Sequence, residues 1–296
     1  MELSNIYAIV LHFRFADQTL RCLRSIQAGR LEHVILVDNS EDGGKSLCSM
    51  RAQLEVLRTN GLRFQLLTPS KNLGFAAAVN LGLGRAVASR ASGVLIVNSD
   101  AQLEAGALCA MTRIMDGAAV AMPWFRSRPN EAARSLFGYY QRAFALVLRS
   151  PGRGSVEYPS GCCLLLRSDV IRPDLFDEDF FFYGEDVALG HALKAQGIRV
   201  VECPAAVVTH AGSGSAKNGS MFYEYHINRG HWLLAAKLAA SPLQRIIYIA
   251  CRSVSLPFRA TVRSLRFRSL VPWRGLVAAT LDVVHGRCRS FTPSAP

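Results

Sequence analysis

Phe180-Phe-Phe-Tyr-Gly-Glu-Asp186 places two adjacent acids after an aromatic run and at the start of an amphipathic segment, Val187–Ala195. Burial raises a carboxylate's pKa and a helix N-terminus lowers it, so an acid at this junction can be tuned toward general-base work. Helix capping by Glu185 or Asp186 is the plainer alternative, but capping needs neither the aromatic run nor a second acid. Asn98-Ser-Asp100 follows the most apolar run of the chain. An acid there can hold a divalent cation if a diphosphate completes the shell; otherwise the segment is a strand-end turn. Lys71–Gly82 has the form N-x-G-x₅-N-x-G, through Asn72, Gly74, Asn80 and Gly82. Gly74 would let a ligand approach the backbone, and Ala76–Ala78 would let a helix lie close to a sheet, although a capped, alanine-packed helix explains the same pattern. Asp38, in Val37-Asp-Asn-Ser40, could accept hydrogen bonds from a pyrimidine base or ribose, or close an Asx turn. His210 ends an apolar run before Ala211-Gly-Ser-Gly-Ser215. It could complete a metal shell, bind phosphate, or be a satisfied buried histidine.

These residues need a scaffold, and the apolar pattern supplies one. Ile6–Leu11, Val34–Val37, Phe64–Leu67 and Val94–Val97 are short aliphatic runs that predict buried strands. Between them, Asp17–Gln27, Gly44–Leu57, Phe75–Ala88 and Glu104–Met115 carry helical spacing. Strand alternating with helix predicts an α/β fold with a mostly parallel central sheet and helices on both faces, ligands binding beyond the strands' carboxyl ends. His12, Asp38, Lys71-Asn72 and Asn98-Ser-Asp100 lie at such ends. Pro123–Arg153 predicts a long excursion over the active face, followed by strands at Cys162–Leu166, Arg199–Glu202 and Val207–His210 and a helix from about Tyr223 to Ala240.

Half of the 296 residues are hydrophobic and 19% are charged, which excludes a mainly disordered or collagen-like chain. Residues 229–296 hold 11 basic residues and one acid, Asp282, whereas residues 1–228 hold 23 basic and 21 acidic residues. This asymmetry predicts a near-neutral body (1–240) with a basic helical extension (241–296), not a uniformly basic nucleic-acid binder. Arg245, Arg252, Arg259 and Arg266 recur every seven residues beside Leu243, Ile246, Ile247, Ala250, Val254 and Val262. That spacing predicts an arginine stripe next to an apolar face, suited to anionic lipid or packed on the body, with Pro257 kinking or breaking the helix. Eight cysteines without a C-x-x-C pair read as buried thiols. With no signal-like start and no long apolar span, the expected setting is cytoplasmic.

In this order the motifs resemble glycosyltransferase family 2 of the A-type nucleotide-diphospho-sugar transferase fold, rhamnosyltransferase-like branch, over about Ile6–His231, with a weaker echo in Trp273–Arg287. The resemblance implies an inverting transfer of a sugar, possibly rhamnose, from a dTDP-, UDP- or GDP-linked donor to a glycan or glycolipid acceptor. It implies that Asp38 contacts the base and that Asn72, Gly74, Asn80 and Asn98 line the nucleotide pocket. Asp100 corresponds to the acid that binds Mg²⁺ or Mn²⁺, His210 approaches the diphosphate or its metal, and Asp186 is the base. Glu185 would belong to the catalytic pair with Asp186 and orient the acceptor, as would Glu178 with Tyr183. The implied location is peripheral, at the inner face of a bacterial plasma membrane through the basic tail, in surface polysaccharide synthesis. A nucleotidyltransferase or retaining transferase on the same scaffold, and a non-catalytic anion- or nucleic-acid-binding protein, are the competing readings.

Overall fold

A computed structural model describes residues 5–128, 130–210 and 217–289, so the expected Ala211–Ser215 loop lies outside the described residues. The chain divides into two compact units, one comprising Met1–Leu136, Pro159–Phe176 and Leu193–Gly212, the other Phe137–Tyr158, Asp177–Ala192 and Ser213–Pro296.

The first unit is built on an eight-stranded sheet. Strands β1 (Ile6–His12), β2 (His33–Asp38), β3 (Arg63–Leu67) and β4 (Gly93–Asn98) are mutually parallel, in the order β3-β2-β1-β4. Near-continuous aliphatic runs in β1, β2 and β4 suit strands covered on both faces. Helices α1 (Ala16–Ala28), α2 (Lys45–Thr59) and α3 (Gly74–Ala88) supply the crossovers. The glycine at 82 is required by packing: a Cβ there would lie 2.7 Å from Ile9 Cγ2 on β1. Beyond β4 the sheet becomes mixed. Strand β10 (Cys163–Arg167) pairs antiparallel with β4 and with β6 (Val120–Arg126). Strand β11 (Val200–His210) pairs parallel with β6 and antiparallel with the short β5 (Ala101–Leu103), and α4 (Ala107–Ile114) leads from β5 to β6.

Two sequence expectations are refined here. The two runs near residues 200 and 208 form one strand, with a register shift between Cys203 and Val207. Cys203 pairs with Pro123, so Pro123 and Pro204, which lack an N–H, both sit at the irregularity. The excursion from residue 123 begins later than expected, because β6 continues through Pro123 to Arg126.

In the second unit, β7 (Gly138–Gln141), β8 (Leu146–Leu148) and β9 (Ser155–Tyr158) form an antiparallel sheet. Helices α5 (Glu185–Ala195), α6 (Met221–Lys237), α7 (Pro242–Phe267) and α8 (Val271–Val284) follow. Ser220 and Ser241 cap α6 and α7, accepting from the amides of Tyr223 and Gln244. Tyr140, Phe180, Leu234, Leu256 and Leu276 form the core.

The expected arginine stripe on α7 is not an outer face. Arg252 is fully buried and donates to the carbonyls of His231 and Arg142. Arg259 turns onto buried Glu224, with Nη1 3.3 Å from Oε2. Only Arg245 and Arg266 of the four are exposed. Helix α7 also runs through Pro257 without ending. Among the described residues, no helix is long and apolar enough to cross a membrane.

Candidate active site

In the first unit, parallel pairing sets the polar strand ends beside one another. His12 is in register with Asp38, and Leu11 with Asn98. Asp38 is buried and its Oδ1 accepts the amide of Ser40 at 3.1 Å, so the local turn foreseen from sequence is present. Asn39, which the sequence reading passed over, ties β2 to the start of α3. Its Nδ2 donates to the Gly74 carbonyl at 3.0 Å and its Oδ1 accepts the Leu73 amide at 2.8 Å. Asn72 accepts the Gly74 amide at 2.9 Å, with Gly74 at φ 78°. Asn80 makes a two-bond clamp on the backbone of Phe176, donating to its carbonyl at 2.8 Å and accepting its amide at 3.0 Å. These are bonds a neighbouring strand would otherwise make, and they fix the segment that leads toward Asp177.

The expected metal residues meet. Antiparallel pairing of β11 with β5 sets His210 opposite Ala101, and His210 Nε2 lies 3.2 Å from Asp100 Oδ1. Both side chains are partly accessible. Among the described residues there is no cluster of three or more His, Cys, Asp or Glu able to enclose an ion. A single carboxylate fits a cation whose remaining ligands come from phosphate oxygens and water, as Mg²⁺ is commonly held, and the imidazole adds one nitrogen donor suited to softer divalent ions. Arg126, another residue without a sequence signal, lies in register with Thr209, its Nε 2.9 Å from Glu104 Oε1. His12 is buried between the hydroxyls of Thr19 (2.8 Å) and Ser46 (2.9 Å), and burial holds its imidazole below the usual range.

The second unit holds Glu178, Tyr183, Glu185 and Asp186. Phe180 to Gly184 is a strained approach to α5: Tyr183 has φ 64° and Gly184 φ 105°. A Cβ at 184 would come within 2.7 Å of the Phe180 ring, and one at Gly230 on α6 would strike the Tyr183 carbonyl. Lys237 anchors the start of this segment, its Nζ 2.5 Å from Asp177 Oδ2 and 2.6 Å from Asp179 Oδ2, while Arg229 donates to the Asp179 carbonyl. Neither basic residue carried a signal in the sequence, because each is distant from the acids it binds. Glu178 is exposed, and Tyr183 is half-buried with its ring edge-on to Tyr223.

Glu185 and Asp186 open α5 in contrasting surroundings. Glu185 is buried and its Oε2 has no donor among the described residues. Burial first, and the neighbouring Asp186 second, push its carboxyl from 4.5 up to about 8. Asp186 is half-buried; its charge adds to burial in pushing the Tyr158 hydroxyl up to about 12. Burial therefore disfavours the charged form of Glu185. Because the folded pKa of Glu185 exceeds its unfolded value, its contribution to stability is complete below about pH 4.5 and is lost as pH rises through about 8. Unfolding midpoints measured from pH 5 to 9 should therefore fall for the parent and fall less for Glu185→Gln; parallel curves would contradict a buried, proton-bearing Glu185.

A family model described as glycosyltransferase-like family 2 matches residues 4–235. No curated protein matches the chain. Among solved structures, GalNAc-T7 with UDP, GalNAc and Mn²⁺ is similar at 11% identity and a TM-score of 0.61, over 96% of this chain and 58% of that one. S. aureus TarS 1–349 in complex with UDP-GlcNAc is similar at 17% identity and a TM-score of 0.54, over 96% and 82%. TarS 1–349 in complex with UDP gives 16% and 0.51, over 86% and 71%. At these identities the likeness concerns the fold.

Proposed function

The chain belongs to glycosyltransferase-like family 2, and from that premise we propose that it transfers a sugar, with inversion, from a nucleoside-diphosphate donor to a hydroxyl of a lipid-linked glycan. The pairing of Asp100 with His210 at the strand ends carries this reading, because it offers one hard oxygen and one imidazole where a diphosphate would complete a cation's shell. The similar folds of proteins solved with UDP, UDP-GlcNAc and Mn²⁺ support the same class of donor. Rhamnose is the finer sugar assignment, with a dTDP-, UDP- or GDP-linked donor. Residues 1–240 form the catalytic body in this proposal and residues 241–296 a basic helical extension, set peripherally at the inner face of a bacterial plasma membrane.

Asp38 holds the base or ribose, and the Asn72–Gly74 turn and Asn98 border the nucleotide. Asn80 keeps the Phe176 segment in place. The acceptor oxygen attacks the anomeric carbon as the bond from that carbon to the diphosphate oxygen breaks, and the nucleoside diphosphate leaves with the bonding electrons. Asp186 takes the acceptor's proton. Burial disfavours charge on the neighbouring Glu185. Glu178 and Tyr183 contact the acceptor, on a segment held by Lys237. Asp100 and His210 would hold Mg²⁺ or Mn²⁺, which supplies positive charge against the phosphates.

A panel of nucleotide sugars with Mg²⁺ or Mn²⁺ tests the proposal: one donor should raise the unfolding temperature and be hydrolysed slowly without acceptor, and a panel with no response contradicts it. With two protein donors only, Mn²⁺ alone should give little thermal shift, whereas Mn²⁺ with a nucleoside diphosphate should stabilise the parent. Asp100→Asn should weaken that joint binding by about tenfold or more, since loss of even an outer-shell partner typically costs about 10–100-fold in metal affinity. Equal stabilisation of parent and variant would remove Asp100 from the metal site.

A further inference from the structure

Helix α7 turns three of its five arginines inward and a row of aliphatic and aromatic side chains outward. Arg252, Arg259 and Arg263 are spent on buried carbonyls and on Glu224. The opposite side exposes Leu243, Ile247, Val254, Phe258 and Leu265, with Val254 and Phe258 71% exposed and Leu265 75%. Steps of four and seven residues keep these side chains on one helix face. The stripe is about 33 Å long at about 1.5 Å per residue. Val277, Leu281 and Val284 are exposed on α8, which packs against α7. Twelve of the nineteen large apolar side chains exposed among the described residues lie between 243 and 284, so this is a surface and not ordinary scatter.

The charges around that surface select its occupant. No acid occurs in the sequence between Glu224 and Asp282, and both of those are buried. Arg245, Arg266, Arg268 and Arg274 are exposed. A second copy docked on this face would bring together two sets of exposed arginines with no acid in α7 or in the first turns of α8, whereas anionic lipid headgroups would neutralise them. Because no described helix is long and apolar enough to cross a bilayer, the contact is interfacial. We propose that the outer face of α7, extended by α8, lies in the headgroup–acyl boundary of an anionic membrane, with Val254 and Phe258 inserted and the exposed arginines at phosphate level. The proposal rests on the peripheral-membrane part of the reading above and is independent of the donor chemistry.

Flotation of the full chain with phosphatidylcholine vesicles, with and without phosphatidylglycerol, tests it. The parent should float with phosphatidylglycerol vesicles, and Val254→Glu with Phe258→Glu should bind at least about tenfold more weakly while keeping the parent's unfolding temperature and donor hydrolysis. Arg245→Glu with Arg274→Glu should lose the preference for the anionic lipid. Three results would overturn the proposal: no flotation of the parent, flotation unchanged by the two glutamates, or a dimer in light scattering that they dissociate without any vesicle binding. Vesicle binding without hydrolysis of any donor would uphold the docking face and remove the transferase reading instead.

Discussion

Asp186→Asn is expected to lower sugar transfer by about 10²–10⁴-fold, the usual contribution of a general base, with donor binding and unfolding temperature close to the parent's. Asparagine keeps the size of the side chain and its ability to open α5, so the loss reports proton transfer and not helix capping. Glu185→Gln provides the contrast. Burial favours the proton-bearing form of Glu185, which an amide imitates, so that variant should retain more transfer than Asp186→Asn. Single-turnover rates measured with saturating donor would compare the two, and an Asp186→Asn rate within a factor of three of the parent would exclude this residue as the base.

Glu224→Gln is expected to be the most destabilising of the changes considered, by about 3–5 kcal/mol, because it removes the acid from a buried charge cluster and leaves the cations in place. Glu224 is 0% exposed; Arg263 donates to its Oε1 through Nε at 2.8 Å and Arg259 to its Oε2 at 3.3 Å. Burial already holds the Arg259 guanidinium below its ordinary value, so loss of the carboxylate cannot be met by a stronger hold on charge. Chemical denaturation would measure the effect. Replacing all three residues with apolar ones of similar volume should recover much of the loss, since buried ion pairs often exchange for packed hydrophobic groups at little net cost. A change below about 1 kcal/mol for Glu224→Gln would mean that the cluster is hydrated.

The parallel strands were legible along the chain, though not their order in the sheet, because strands buried on both faces are continuously apolar, and their polar ends stood out for the same reason. Asp100 and His210 were each visible as strand-end residues, but their meeting depends on β5 pairing with β11 across more than a hundred residues. No local pattern encodes that pairing. Asn39, Lys237 and Arg126 were missed on similar grounds, since each acts through a partner far along the chain or on the far side of a turn. Helix α7 illustrates the opposite difficulty. Its period of seven correctly separated an arginine side from an apolar side, but periodicity cannot tell which side faces solvent when the buried partners are carbonyls and a single glutamate. The run from Pro123 suggested an excursion and the gap between residues 202 and 207 a break between two strands, but the sheet accommodates both prolines, at 123 and 204, at one irregularity.

Crystals grown with a nucleoside diphosphate and Mn²⁺ would test the donor assignment most directly. Anomalous density for the ion in contact with the Asp100 carboxylate and the His210 imidazole, with diphosphate oxygens in its shell and the base beside Asp38, is the predicted result. Nucleotide and metal bound away from those three residues would contradict it.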